Sequence, residues 1–246
     1  MTAVCYHNIS HSYDNIRVLE NISFEVNENE IFVIIGRSGS GKSTLLQMIN
    51  GLVVPAVGHV EIFEKKIDYT NINKLRCNIG YSVQGAGLFP HMTVWENISL
   101  LARIEGFARD AIDRRIEILI RFVDLDPAYL AKYPHQLSGG EQQRVGICRA
   151  MMLNPKIFLL DEPFAALDPS TKSEIHHELL ALQKEEPRTI VMVTHDLREA
   201  VKLADRLLVL DNGVLQQIDR VENILKNPAN GLVADFVKEQ TGEEHA

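Results

Sequence analysis

A glycine-rich stretch, GRSGSGKST at residues 36–44, constrains the fold of this chain more than any other feature. It matches the pattern G-x-x-x-x-G-K-[ST], follows the short apolar run IFVII, and leads into a helical pattern that begins near Ser43. Its three glycines let backbone N–H groups approach an anion closely, because a Cβ atom there would obstruct the approach. The stretch therefore predicts a site for the phosphates of a nucleoside triphosphate. The alternative is a glycine-rich turn with a solvated lysine.

The residue types of this stretch, called the glycine loop below, suit a triphosphate bound with magnesium. We expect Lys42 to reach the β- and γ-phosphates and the Ser43 hydroxyl to bind Mg²⁺. The predicted nucleotide contacts of the glycine loop are Gly36, Arg37, Ser38, Gly39, Ser40, Gly41, Lys42, Ser43 and Thr44.

Further short apolar runs predict the remaining strands. NIGYSV, KIFLL, TIVMVT and RLLVL alternate with helical patterns, which indicates an α/β fold with a largely parallel sheet. Parallel strands present their carboxyl ends at one edge, where open α/β proteins bind ligands. We therefore expect Gln84, Asp161 and His195, which follow three of these strands, to lie at the same edge as the glycine loop.

Each of these polar residues has a predicted role in hydrolysis. Asp161 is expected to hold Mg²⁺ through water, and the adjacent Glu162 to accept a proton from the attacking water. The amide of Gln84 can bridge Mg²⁺ and that water, and His195 can contact the γ-phosphate. The alternatives are a surface acidic pair for the two carboxylates and structural strand-end roles for the glutamine and the histidine.

The chain is predicted to form a single domain over residues 1–246 with two parts that stand apart. Residues 85–152 are mostly helical in pattern and are read as an inserted helical subdomain. One predicted helix there places Ile112, Ile116, Leu119, Ile120 and Val123 on one face. An Asn-Gly turn signal precedes a short C-terminal helical tail at about residues 220–246.

Charge and cysteine content exclude several classes of protein. Acidic residues outnumber basic ones 33 to 25, for a formal net charge of −8, which favours a small-molecule or protein partner over nucleic acid. The cysteines form no C-x-x-C pair, so neither a disulfide framework nor a thiolate metal site is indicated. The N-terminus lacks a secretory pattern, and no apolar run approaches the ~18–20 residues of a membrane helix. We expect a cytosolic chain that does not itself span a membrane.

A second glycine motif, LSGGEQQRV at residues 137–145, raises the question of why one chain carries two anion-binding stretches. Ser138, Gly139 and Gly140 precede a helical pattern, so a hydroxyl, exposed amides and a helix N-terminus suit a γ-phosphate. The motif is far along the chain from the glycine loop, and we interpret it as serving the loop of a second, identical subunit. The alternative is an N-capped helix with a glycine turn.

Five motifs in order, GRSGSGKST, LSGGEQQRV, LLDEP, ALD and THD, resemble those of the ATPase subunits of ATP-binding cassette (ABC) transporters over nearly the whole chain. The resemblance implies a P-loop nucleoside-triphosphatase core with an antiparallel β part near the N-terminus. It also implies ATP and Mg²⁺ as cofactors, and a head-to-tail dimer in which each ATP lies between the glycine loop of one subunit and the LSGG segment of the other. Membrane permease subunits and a location on the cytoplasmic face of the cell membrane are implied as well.

The same resemblance implies residue roles. Tyr13 would stack on adenine, with a tyrosine packed in a sheet as the alternative. Gln84 would couple the nucleotide to the membrane subunit, and Glu162 would be the base. Asp168 would act across the dimer, and His195 would sense the γ-phosphate.

A narrower resemblance concerns the transported solute. GLFPHMTVWENISL, YPHQLSGGEQQRVGICRAMM and KNPANGLVADFV are similar to the ATPases of quaternary-amine importers, which serve glycine betaine, choline or carnitine uptake. This likeness implies import with an extracytoplasmic solute-binding protein. Many of those ATPases continue into a regulatory domain beyond the position of Ala246, so the solute and any regulation stay open. The remaining alternatives are an importer for another small solute such as an amino acid, a soluble cassette protein, and a small-molecule kinase.

Overall fold

The computed structural model describes residues 1–85 and 87–241 and divides the chain into two compact units. The first unit joins Met1–Leu75 to the chain from Arg188 onward, and the second unit is Arg76–Pro187. None of the helices in the described residues has the length and apolar character needed to cross a membrane.

The first unit contains an antiparallel sheet built from the N-terminal part of the chain. Its strands, in the spatial order β2-β1-β4-β5, are β1 (Thr2–Tyr13), β2 (Ile16–Asn27), β4 (Val57–Ile62) and β5 (Lys65–Lys66). Asp14 and Asn15 join β1 to β2 with φ angles of 47° and 66°, as a two-residue hairpin turn requires. This sheet confirms the antiparallel part implied near the N-terminus.

The parallel strands of the first unit position the glycine loop. They are β3 (Ile31–Ile35), β8 (Thr189–Thr194) and β9 (Arg206–Asp211), with β3 between the other two. Every residue of β3 and β8 is buried, as their unbroken apolar runs predict. The predicted Asn-Gly turn, Asn212 and Gly213, joins β9 to the antiparallel strand β10 (Val214–Arg220).

Helices complete the first unit. They are α1 (Lys42–Ile49), α2 (Ile72–Arg76, which runs into the second unit), α7 (Leu197–Leu203), α8 (Val221–Lys226) and α9 (Gly231–Thr241), with a 3-10 turn at Tyr69–Asn71. Within the predicted tail, α8 and α9 are helical, and residues 242–246 lie outside the described part of the chain.

Stacked aromatic rings and one hydrogen bond connect the antiparallel sheet to α1. Tyr6 stacks on Phe24 at 4.3 Å between ring centroids, and Phe24 lies 5.5 Å from Phe32 of β3. The buried Tyr6 hydroxyl donates a hydrogen bond of 2.8 Å to the Leu45 carbonyl of α1. Burial raises the pKa of Tyr6 well above its usual value, so the hydroxyl keeps its proton for this bond. The start of α1 is thereby held against the sheet.

The second unit contains two parallel strands and the helices between and after them. Strand β6 (Ile79–Ser82) pairs with β7 (Ile157–Asp161), with Ser82 opposite Leu160. The helices are α3 (Val94–Ile104), α4 (Arg109–Phe122), α5 (Gly139–Met151) and α6 (Pro169–Glu185), with 3-10 segments at Pro127–Ala131 and Pro134–Gln136. The apolar residues predicted to share one face of α4 and its C-terminal end are all buried.

Candidate functional site

The glycine loop joins β3 to α1 in a conformation that most residues cannot adopt. Gly39 and Gly41 have φ angles of +78° and +99°, in the left-handed region that favours glycine. A Cβ on Gly36 would lie 2.1 Å from the Leu210 carbonyl oxygen. Gly41 is the N-cap of α1 and supplies no side-chain hydrogen bond to it. The loop is thus a tight turn that presents the N-terminal end of a helix.

Lys42 is folded back over the same loop. Its Nζ donates hydrogen bonds of 2.8 Å to the Gly36 carbonyl and 2.9 Å to the Arg37 carbonyl, and the side chain is 6% exposed. The Ser40 hydroxyl is buried and has no hydrogen-bond partner among the described residues. A buried ammonium group and an unsatisfied hydroxyl within a glycine turn fit a phosphate ligand, because phosphate oxygens accept hydrogen bonds from both groups.

Other predicted contacts of the glycine loop differ in burial and direction. Thr44 is buried, Ser43 is half-buried and Ser38 is exposed. The Arg37 guanidinium lies 3.1 Å from a carboxylate oxygen of Glu239 on α9. Arg37 therefore contributes its carbonyl to Lys42 while its side chain binds the C-terminal helix.

His195 lies at the strand end next to the glycine loop. Strands β3 and β8 are parallel neighbours with Ile35 opposite Thr194, so Gly36 and His195 leave adjacent strand ends. The side chain of His195 is exposed. Thr194, which precedes it, donates a 2.7 Å hydrogen bond to Glu199 of α7, which fixes the connection into that helix.

Tyr13 lies at the end of β1, at the tip of the hairpin. Its ring is 44% exposed and contacts His11 edge-on at 4.7 Å. Tyr13 is the last residue of β1 and pairs with Ile16 of β2, so it belongs to the sheet, but it lies beyond the buried part of β1. An exposed ring is available for stacking on a planar ligand.

Within the second unit, the ends of β6 and β7 bring three predicted residues to one edge. Asp161 ends β7, is 3% exposed, and accepts a hydrogen bond of 3.4 Å from the Tyr81 hydroxyl. Glu162 follows directly and is half-buried, and Gln84 lies exposed just beyond the paired strand β6. Carboxylate and amide oxygens are hard ligands of the kind that Mg²⁺ prefers.

The backbone turns sharply after Gln84 because of two glycines. Gly85 and Gly87 have φ angles of +75° and +52°, and a Cβ on Gly87 would lie 2.6 Å from Val83. The Gly87 carbonyl accepts a 3.0 Å hydrogen bond from Arg149 of α5. These glycines, which follow the predicted coupling residue in sequence, therefore attach the segment after Gln84 to α5.

A contact to Glu162 involves a residue that the sequence did not suggest. Gln143 is 2% exposed on α5, and its Nε2 donates a 3.4 Å hydrogen bond to the Glu162 carbonyl. Glu162 has a φ of +49°, uncommon for a residue other than glycine. The only available signal was the spacing of Gln143 four residues before the apolar Ile147, which places both on one helix face.

The second glycine motif forms the N-terminus of α5. Ser138 caps this helix: its Oγ accepts a 3.3 Å hydrogen bond from the Glu141 amide, and its own amide donates 2.6 Å to the Glu141 carboxylate. Gly139 is exposed, and a Cβ on Gly140 would lie 3.3 Å from the Ala166 carbonyl oxygen. The N-capped helix is thus present, and its glycine end remains exposed for an anion.

Asp168 caps a second helix close in sequence. Its carboxylate accepts hydrogen bonds from the Ser170 and Thr171 amides at the start of α6, at 3.1 and 3.0 Å. Hydrogen bonds from the side chains of Ser170 and Thr171 and from the Thr171 backbone hold its pKa well below the usual range. Asp168 is therefore a carboxylate near neutral pH and fixes the turn that leads into α6.

Comparison with known proteins identifies the family. A family model described as ABC transporter matches residues 19–165, which include both glycine motifs and the carboxylates of Asp161 and Glu162. The chain belongs to the ABC transporter family. Its ABC fold is similar to a solved dimeric structure of the ATP-binding cassette MJ0796 in a post-hydrolysis state bound to ADP and Pi. The TM-score is 0.84 and the identity 33%, covering 89% of this chain and 98% of that one.

Among curated ABC proteins, this chain is 42% identical to the glycine betaine/carnitine/choline transport ATP-binding protein OpuCA of Bacillus subtilis, covering 90% of this chain and 58% of OpuCA. It is 38% identical to the glycine betaine uptake system ATP-binding protein YehX of Escherichia coli, covering 94% of this chain and 75% of YehX. The chain thus spans somewhat more than half the length of OpuCA.

Proposed function

We propose that this chain is an ATP-binding and ATP-hydrolysing subunit that drives an importer of a quaternary amine or a related small osmolyte. The observation that carries the proposal is the glycine loop, in which the buried Lys42 ammonium, the unsatisfied Ser40 hydroxyl and the left-handed glycines suit a triphosphate. The ABC family and the solved neighbour bound to ADP and Pi support ATP as that ligand.

The mechanism assigns separate tasks to the two units. In the first unit, Lys42 exchanges its two carbonyl contacts for the β- and γ-phosphates, and the exposed His195 contacts the γ-phosphate. In the second unit, Glu162 accepts the proton of the attacking water. Ser43 in the first unit, and Gln84 and Asp161 in the second unit, are each proposed to bind Mg²⁺, and the ion would neutralise phosphate charge when bound.

A second copy of the chain is the proposed partner for the second glycine motif. Residues 138–140 would contact the γ-phosphate held by the partner's glycine loop, and Asp168 would act across the same interface. The exposure of Ser138 and Gly139 supports this role, and solved cassettes of the family are dimeric.

Membrane permease subunits are proposed to bind the second unit, which places the chain peripherally on the cytoplasmic face of the membrane. Large apolar side chains are exposed there, and an open cavity of about 900 Å³ includes Trp95, Arg103 and Phe107 in its lining. Exposed apolar side chains suit a protein partner. They include Phe107, which lines the cavity, and Phe89, Leu101 and Ile104 elsewhere in the second unit. An extracytoplasmic solute-binding protein completes the proposed importer.

The proposed solute follows the names of the relatives. OpuCA and YehX are named for glycine betaine, carnitine or choline transport, which supports a quaternary amine. A second candidate is a polyamine, because the chain is also 37% identical to the spermidine/putrescine import ATP-binding protein PotA of Borreliella afzelii, covering 94% of this chain and 67% of PotA. Uptake of labelled glycine betaine, choline and spermidine by proteoliposomes containing the assembled importer distinguishes the two classes.

Phosphate release from ATP by the purified chain, without any acceptor molecule, tests the enzymatic part of the proposal. We expect Lys42→Ala to lower the rate at saturating ATP by about 10²–10³-fold, because a preorganised charge at the transferred phosphoryl group is lost. Lys65→Ala removes an exposed lysine of β5 and should leave the rate unchanged. Wild-type turnover by Lys42→Ala, or phosphate transfer only in the presence of an acceptor, would contradict the proposal.

A further inference from the structure

Two histidines and a glutamate form a cluster on the antiparallel sheet of the first unit. His7 on β1 lies directly opposite His59 on β4, and Glu61 follows His59 by two residues. Side chains two apart on a strand share a face, so all three project from the same side of the sheet. Nothing in the proposed ATP chemistry uses these residues.

The potential ligand atoms of this cluster are already close together. Glu61 Oε1 is 3.2 Å from His59 Nε2, and Glu61 Oε2 is 3.3 Å from His7 Nε2. All three ligand atoms lie within 4.8 Å of one another. Ligand atoms about 2.0–2.2 Å from a tetrahedral metal ion are about 3.4 Å apart, so the two contacts of Glu61 already have this spacing, and the two stacked rings must turn toward each other to share an ion.

The environment of the cluster also suits an ion. His7 Nε2 is buried and lies 3.3 Å from Glu61 Oε2, and in the described part of the chain it has no partner that meets hydrogen-bond geometry. The two imidazole rings stack with centroids 4.6 Å apart, which directs their edges to the same carboxylate. The three side chains are between 31% and 41% exposed, so the cluster lies at the surface of the sheet. Their backbones belong to two paired strands, which hold the ligands in register.

We propose that His7, His59 and Glu61 form a binding site for one divalent transition-metal ion of the zinc class, separate from the ATP site. Two imidazole nitrogens and one carboxylate favour Zn²⁺ or Co²⁺, whereas Mg²⁺ and Ca²⁺ prefer oxygen ligands. The three residues occupy three positions of a tetrahedron and leave the fourth to water. Because the ligands come from β1 and β4, a bound ion cross-links two strands of the sheet.

Cys5 is close to the proposed site but is not one of its ligands. It lies opposite Glu61 on β1, but it is not among the clustered ligand atoms. The site is therefore expected to bind metal through nitrogen and oxygen only.

Titration of the full, tag-free chain tests the proposal. After EDTA treatment and buffer exchange, without nucleotide, Zn²⁺ is titrated by calorimetry and in competition with a chromogenic chelator. We expect one tight equivalent in the wild type, at least tenfold weaker binding by His59→Ala, and unchanged binding by His177→Ala, which removes an exposed histidine of α6. Zn²⁺ should raise the unfolding midpoint of the wild type and of His177→Ala, but not that of His59→Ala.

Cobalt substitution identifies the ligands. Co²⁺ in the wild type should give tetrahedral d–d absorption without a sulfur charge-transfer band, and Cys5→Ser should give the same spectrum. Circular dichroism checks that each variant is folded, and Glu61→Gln provides a second, nearly isosteric loss of a ligand. Absence of a tight equivalent in the wild type, or equal affinity in the wild type, His59→Ala and Glu61→Gln, would overturn the proposal and leave the cluster as a carboxylate held between two histidines.

Discussion

Single residues in the glycine loop are fixed by different physical requirements. Gly39 needs only its left-handed backbone, because a Cβ there would have no described atom within 4 Å other than those of its chain neighbours. Gly41 needs both its φ of +99° and space, since a Cβ there would lie 2.7 Å from Leu19 Cδ2. The motif pattern requires glycine at 36 and 41 but gives no physical reason for it. At position 41 the packing of Leu19 of β2 against the loop supplies the reason.

These reasons predict different losses of stability on substitution by alanine. Gly39→Ala should lower the free energy of unfolding by about 1–2 kcal/mol, the cost of a left-handed residue that carries a Cβ. Gly41→Ala should lower it by about 2–4 kcal/mol, because steric overlap is added. Urea denaturation without nucleotide measures both values.

Gly231→Ala is the matched control, since its Cβ would meet open space and its φ is not in the left-handed region. Its effect should be within about 0.5 kcal/mol. A Gly41→Ala variant as stable as Gly231→Ala would show that the loop adapts its conformation and that the contact with Leu19 does not constrain it.

At this scale the sequence predicted residue types better than conformations. The pattern identified Lys42, but its two bonds to loop carbonyls depend on the turn that the glycines make. The positive φ of Glu162 and its contact with Gln143 were not predictable, because both depend on where α5 packs. A glutamine in a polar helix has the same sequence signature whether it is exposed or buried.

Secondary-structure elements were predictable where hydrophobic burial alone determines them. The runs that became β3, β6, β7, β8 and β9 contain mostly apolar residues, and their strands are largely buried. Strand β4 was not identified, because its polar His59 and Glu61 interrupt the apolar run and its pairing with β1 is long-range. Local patterns do not specify such pairings.

Two helices of the second unit begin with the same capping box, which allows a matched comparison. Thr93 and Glu96 start α3 as Ser138 and Glu141 start α5. Thr93→Ala and Ser138→Ala should each cost about 1 kcal/mol of stability, whereas Thr93→Gly and Ser138→Gly should each cost a few tenths. Denaturation curves measure these values.

The rate of phosphate release then distinguishes a residue that only caps a helix from one that also contacts the nucleotide. Ser138→Gly should lower the rate at least tenfold despite its small effect on stability, because the hydroxyl proposed to contact the partner's γ-phosphate is lost. Thr93→Gly should keep the wild-type rate. Equal rates for Ser138→Gly and the wild type would mean that Ser138 is only a helix cap.

For the molecule as a whole, the order of motifs predicted the family and the α/β class. The division after Leu75 and Pro187 was not predicted, because it depends on the density of tertiary contacts and not on a linker signal. The proposed second subunit accounts for the two glycine motifs of one chain, since each ATP would take the glycine loop of one copy and residues 138–140 of the other. This arrangement makes dimerisation depend on ATP.

Slowing hydrolysis should therefore make the dimer visible. Glu162→Gln keeps the size and hydrogen bonding of the side chain but cannot accept a proton from water, so ATP binding is retained while hydrolysis is lost. This variant should be monomeric without nucleotide and shift toward a dimer with ATP, whereas the wild type consumes the ligand. Size-exclusion chromatography with light scattering measures the mass of each species.

The double variant Glu162→Gln, Ser138→Arg is the control for the shared site. A long cationic side chain at 138 would occupy the space of the partner's γ-phosphate, so the double variant should bind ATP through its glycine loop and stay monomeric. Nucleotide binding is measured separately by equilibrium dialysis. The shared site is contradicted if Glu162→Gln binds ATP but remains monomeric at high concentration, and if the two copies of the chain in the assembled importer also fail to associate with each other when ATP is added. ATP would then not be shared between two chains.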